Sequence, residues 1–128
     1  MAFKTADFDS SILPYKIIYD SDLSTAGGSA ATAREDVTNG ESGRIHHIEM
    51  KNASNATIVF KFTLTETTVT VGTTVSQMHF TIPASSTVQY TIPEGVDFTT
   101  LSMWAVTSEA ANGTTPPATA SSVYLITT

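Results

Sequence analysis

The residues with the most obvious capacity for chemistry are the histidines: His46 and His47 are adjacent, Glu49 follows two positions on, and His79 stands apart. Imidazoles and carboxylates bind zinc, but a zinc site needs three or four of them to converge. Neighbouring side chains of a regular strand point to opposite faces, so His46 and His47 do not reach one ion from such a strand, whereas His47 and Glu49 share a face. Only two ligands are placed in this way, and the histidines read as structural or surface residues with no metal assigned. Two acidic pairs, Asp7-Phe8-Asp9 and Asp20-Ser21-Asp22, set carboxylates on one side of an extended chain, where calcium is conceivable. Neither pair continues with the glycine and glutamate of a calcium loop, and both read as solvated turns.

Nucleophilic catalysis has no recognisable framework. Serines and threonines abound, but there is no G-x-S-x-G, no S-x-x-K and no cysteine, and Gly27-Gly28 leads into Ser-Ala-Ala and not into a phosphate-binding loop. The chain reads as a non-enzyme without a cofactor. Sequons at Asn52, Asn55 and Asn112 read as by-products of a threonine-rich chain that lacks a secretory signal. Trp104 and Phe98 offer aromatic faces for a sugar, although a lone tryptophan in a sandwich is more often an interior anchor.

Composition narrows the class further. Charged residues make up 14% of the 128 positions, against about 25% in ordinary domains, and hydroxyl residues take their place. All six Lys and Arg lie at or before Lys61, and the net charge is -6. This balance argues against a partner with a phosphate backbone. Without cysteine the core must hold without disulfides. The N-terminus "MAFKTADFDSS" lacks an apolar signal region, and no apolar run approaches the ~18 residues of a membrane helix. A soluble protein made in the cytoplasm is expected, with neither membrane nor nucleic acid as partner.

The elements that position these residues divide at about residue 40. Residues 1–40 hold a short apolar island, Ile12-Leu13-Pro14-Tyr15-Lys16-Ile17-Ile18-Tyr19, between acidic flanks and a Gly-Ser-Ala stretch that reads as a linker. Such an island favours an extended conformation, which is not stable alone and must pack on this domain or on a partner. Residues 41–128 carry strand signals every ten or so residues, the rhythm of an all-β sandwich. "RIHHIEMKN" and "TIVFKFTL" are expected to form a hairpin across "NASN", with Ile58, Phe60, Phe62 and Leu64 inward and Lys61 nearer water. Met78, Phe80 and Ile82, then Val88, Tyr90 and Ile92, mark two further half-buried strands, each closed by a proline, Pro83 or Pro93. "LSMWAVTS" is expected to be covered on both faces, "SSVYLITT" to form the last strand, and "GSAATAREDV" is the one helix candidate.

Residues 44 to 127 resemble a class of small tailed-bacteriophage virion proteins. The likeness rests on the order of Asn52, Phe60 to Phe62, Val71-Gly72-Thr73, Ile82-Pro83-Ala84, Pro93-Glu94-Gly95, Phe98, Val106-Thr107, Thr115-Pro116-Pro117 and Val123 to Ile126. Thr100-Leu101 departs from the Gly-Leu expected there, and the head of the chain lies outside the pattern. The resemblance implies a jelly-roll-like or Ig-like antiparallel β-sandwich with an extended N-terminal arm, and the role of a capsid decoration or cement protein on the virion surface. It further implies the major capsid protein as partner, a homotrimer, and no catalytic residues. In that reading Phe3, Phe8, Ile12, Leu13, Tyr15, Ile17, Ile18 and Tyr19 form the partner-binding arm, while Phe60, Phe62, Phe80, Ile82, Tyr90, Ile92 and Trp104 mark the fold. The rival expectations are a fibre or receptor-recognition module that binds glycan through Trp104 or Tyr90, and a tail or neck component.

Overall fold

Two antiparallel sheets pack face to face in a computed structural model that describes residues 3–7 and 15–128. The strands are β1 (Phe3–Asp7), β2 (Lys16–Asp20), β3 (Gly43–Asn52), β4 (Ile58–Thr63), β5 (Met78–Ile82), β6 (Ser86–Phe98), β7 (Ser102–Val106) and β8 (Ser122–Thr127). The larger sheet runs β1-β2-β8-β3-β6 and the smaller β5-β4-β7. No helix forms among the described residues. The chain is therefore an all-β sandwich, and the stretch "GSAATAREDV" is extended instead of helical: Arg34 exchanges both backbone hydrogen bonds with Met103, at 2.8 and 3.0 Å.

One core fills the space between the sheets. Ile18 of β2, Ile45, Ile48 and Met50 of β3, and Val123 and Leu125 of β8 meet Ile58, Phe60 and Phe62 of β4, Ile82 of β5 and Met103 and Ala105 of β7. Period-two alternation puts these residues on inward faces. The far face of the small sheet is covered as well, since Val59, Trp104 and Val106 pack under Ala31, Ala33, Val69 and Val71. Every residue of β4 is buried, which corrects the expectation of a wetter face at Lys61.

The head of the chain is part of this body. β2 pairs with β8 from Lys16↔Thr127 to Asp20↔Val123, and the described part of the expected linker is bonded along its length: Leu23, Gly27 and Ala31 donate to Ser121, Pro117 and Thr114. Leu23 is fully buried. Packing thus does not divide at residue 40 among the described residues. An apolar β-branched strand needs a sheet edge, and β8 offers one that faces the core.

Both chain crossings at one end of the sandwich differ from the expected hairpin. β3 and β4 lie in different sheets, as do β5 and β6, so the segments after Asn52 and after Ile82 pass from one layer to the other. Pro83 does close β5. Pro93 instead lies inside β6, on the sheet's outer edge, where a missing N–H costs no ladder bond. "TTVTVGTTVS" forms no strand, and turns at Thr70, to which the amides of Thr73 and Thr74 both donate.

Candidate binding groove on the large sheet

The pairing of β3 with β6 is broken where the histidines stand. Ile45 faces Val96 and His47 faces Thr91, so His46 stands alone on β3 opposite the excursion Ile92-Pro93-Glu94-Gly95 of β6. No residue of β8 opposes His46 either. This is a β-bulge, which suspends the strict alternation of faces. His46 and His47 accordingly line one groove, together with Tyr15, Thr91, Ile92, Pro93, Tyr124 and Ile126. The sequence argument that adjacent histidines diverge holds for a regular strand, and the strand here is not regular.

Gly95 makes the excursion possible. Its φ is +81°, and a Cβ there would lie 2.7 Å from Arg44 Cβ and 2.9 Å from His46 Cε1. Backbone in the left-handed region, pressed this closely on two side chains, admits only glycine at little cost. The excursion therefore caps His46, whose Nε2 is buried without a hydrogen-bond partner among the described residues.

The groove has a volume of about 400 Å³, within the range of small-ligand sites. Its walls are rings in edge contacts: Tyr15 with His46 at 5.7 Å and 85°, and His47 with Tyr124 at 6.4 Å and 76°. His47 Nδ1 and Thr91 Oγ1 lie 3.2 Å apart. No Asp, Glu, Lys or Arg side chain lines the groove. Along the same outer face, Tyr19 meets Tyr124 at 6.4 Å and Ile17 pairs with Ile126.

A second feature lies at the sandwich's open side. β5 and β6 are outer strands of different sheets, and their inward rings Phe80 and Tyr90 stack at 5.0 Å and 31°. Each ring opens the same four-residue sequence, Phe80-Thr81-Ile82-Pro83 and Tyr90-Thr91-Ile92-Pro93. Tyr90 keeps 44% of its surface exposed, and Met78 and Val88 are partly buried beside the pair. The opposite side is closed by Arg34, whose Nε lies 2.6 Å from Asp20 Oδ2 and whose guanidinium carbon stands 5.5 Å from the centre of the Phe3 ring.

The remaining sequence candidates fall into place around these two features. Tyr15 lines the groove, Ile17 and Tyr19 stand on the outer face, Phe3 is half-buried, and Ile18 belongs to the core at 1% exposure, so it is unavailable to a partner. Phe8, Ile12 and Leu13, and with them Asp9 of the first acidic pair, lie outside the described residues. Phe60, Phe62 and Ile82 are core, Phe80 and Ile92 pack against it, and Trp104 is 1% exposed, which removes it as a sugar platform. Asp20 and Asp22 hold local bonds instead of converging on an ion: Asp20 Oδ1 accepts from Asp22 N, and Asp22 Oδ1 from Ala26 N, both at 2.9 Å. Among the described residues, no three His, Asp or Glu groups gather as a metal site.

Comparison with known protein families, with curated proteins and with solved structures finds no match. The groove and the open side are thus the features from which function is argued.

Lys61 is a further residue that sequence pattern misread. Its amine donates to the Ala110 carbonyl at 3.0 Å beneath the loop after β7, while Glu109 accepts from Thr81 Oγ1. Desolvation lowers the pKa of this amine, and the nearby Glu109 carboxylate offsets part of the effect.

Proposed function

We propose that the chain is a structural virion protein of the decoration or cement type, which binds the outer capsid shell and stabilises it without catalysis. The observation that carries this reading is the open side between β5 and β6, where Tyr90 and Phe80 stand between two strand edges with no further strand on them among the described residues. An extended segment of a capsid subunit that adds to such an edge gains main-chain hydrogen bonds, and its alternate side chains meet the apolar seam. β5 is the better edge, because Pro93 and the bulge interrupt β6. After Lys61 the chain contains Glu66, Glu94, Asp97 and Glu109 and no Lys or Arg, which favours a neutral or basic partner strand.

This reading moves the attachment surface away from Ile18, which the core claims, and onto the seam. The resemblance adds a homotrimer on the particle surface with the major capsid protein beneath it. The test is the copy number per particle by quantitative mass spectrometry, combined with Tyr90→Glu. Capsomer stoichiometry that the substitution abolishes supports decoration, whereas a count matching the symmetry of the tail overturns it in favour of a tail or neck component.

A further inference from the structure

From the groove, we infer a second binding function: it takes a neutral saccharide, one sugar ring or two, whose ring packs on Tyr15, His47 and Tyr124 and whose hydroxyls meet the imidazole and phenol groups. The inference stands whether or not the chain coats a capsid, since the groove and the Phe80–Tyr90 seam are separate surfaces.

The chemistry of the lining selects the ligand. With no Asp, Glu, Lys or Arg among its eight lining residues, the groove offers no permanently charged group to a phosphate, a carboxylate or an ammonium group, and its polar groups are the imidazoles of His46 and His47 and the hydroxyls of Tyr15, Thr91 and Tyr124. A wholly apolar ligand fits poorly as well, because it would cover the His47 imidazole and the Tyr124 phenol without pairing them. His47 commits Nδ1 to Thr91, and its Nε2 and the Tyr124 hydroxyl have no hydrogen-bond partner among the described residues. A ligand is therefore required that combines an apolar ring face with uncharged hydroxyls on its rim. Sugars have this character, and a volume of about 400 Å³ suits one or two rings. Ring pairs in edge contact keep aromatic surface available for C–H groups, as at Tyr124 against His47.

The bulge supplies the selectivity. It brings both histidines to one side, and the Pro93–Gly95 excursion forms a wall that a regular strand would lack. The experiment is titration of the full chain with neutral hexoses, N-acetylhexosamines and their disaccharides at millimolar concentration, followed by histidine and tyrosine NMR signals. Expected are saturable shifts at His46, His47 and Tyr124 and affinity weakened about tenfold by Tyr124→Ala. His47→Phe, which keeps a ring but removes its nitrogens, should weaken binding and blur discrimination among sugars. Tyr90→Ala, at the seam, should leave sugar binding unchanged while weakening particle attachment. Thermal melting establishes that each variant folds. No shift with any neutral sugar, shifts that Tyr124→Ala leaves unaltered, or saturable binding of an uncharged proline-rich peptide alone in the same titration overturns the inference.

Discussion

Asn52 Nδ2 donates to the Ile82 carbonyl at 3.0 Å, a bond between the end of β3 in one sheet and the end of β5 in the other. The same amide donates to Ala56 at 2.8 Å and Pro83 at 3.0 Å, and Asn52 Oδ1 accepts from the backbone and hydroxyl of Ser54 at 2.9 and 2.7 Å. One buried side chain thus ties together both crossings between the layers.

Replacement of Asn52 by Ala leaves several of those groups buried and unpaired. A loss of about 3 kcal/mol of stability is expected, measured by denaturant unfolding. Asn52→Asp should be at least as damaging, because a carboxylate offers no N–H to the Ile82 and Pro83 carbonyls. The same burial makes the Asn52 sequon unusable in the folded protein.

The head should prove indispensable to folding. Ile18→Ala is expected to cost about 2 to 5 kcal/mol, while Tyr19→Ala, on the outer face, costs much less. Deletion of residues 1–30 removes Ile18 and Leu23 from the core and strips β8 of β2, one of its two neighbours. Far-UV circular dichroism and gel filtration should show an unfolded or aggregated product, and a compact monomer would contradict the sheet order.

Lys61 should add an alkaline rise in stability. Its pKa in the folded protein lies below the ordinary 10.5, so between the two values the unfolded chain binds more protons than the folded one. Stability then increases with pH through that window. Below it, both states carry the proton and the burden of burying an ammonium is constant. The wild type should gain stability relative to Lys61→Met as pH falls from the alkaline end of the window only if this sign is wrong; paired denaturation curves across the window decide it.

Gly95 should tolerate substitution less well than Pro93. Gly95→Ala places a Cβ against Arg44 and His46 at φ +81° and should cost about 1 to 3 kcal/mol while shifting the His46 signals. Pro93→Ala, on an open edge, should change stability by less than about 1 kcal/mol.

Much of the sandwich could be read from alternation. Val123 and Leu125 recur at every second position of β8 and burial follows that pattern, and Ile58, Phe60 and Phe62 mark the core face of β4 in the same way, although its other face is covered too. The two-sided covering of β7 was legible in the same way from Met103 and Ala105 on one face and Trp104 and Val106 on the other. The groove was not legible. It depends on one unpaired residue, His46, and on an excursion of β6 that sequence signals of a proline and a glycine place correctly but explain as a strand end.

From the sequence alone followed the all-β class, the faces of most strands, the absence of thiol chemistry and the one-sided distribution of positive charge. These are properties of side chains and of their period along the chain. Only the tertiary structure decided that β2 pairs with β8, that β3 and β5 each hand the chain to the opposite layer, that both histidines share a groove, and that Phe80 meets Tyr90. Strand pairing uses backbone groups that are nearly the same at every residue, so the pattern of a strand specifies which side faces the core but not which neighbour it bonds. The neighbour is chosen by packing and register across the whole sandwich, and the groove exists only where that register slips.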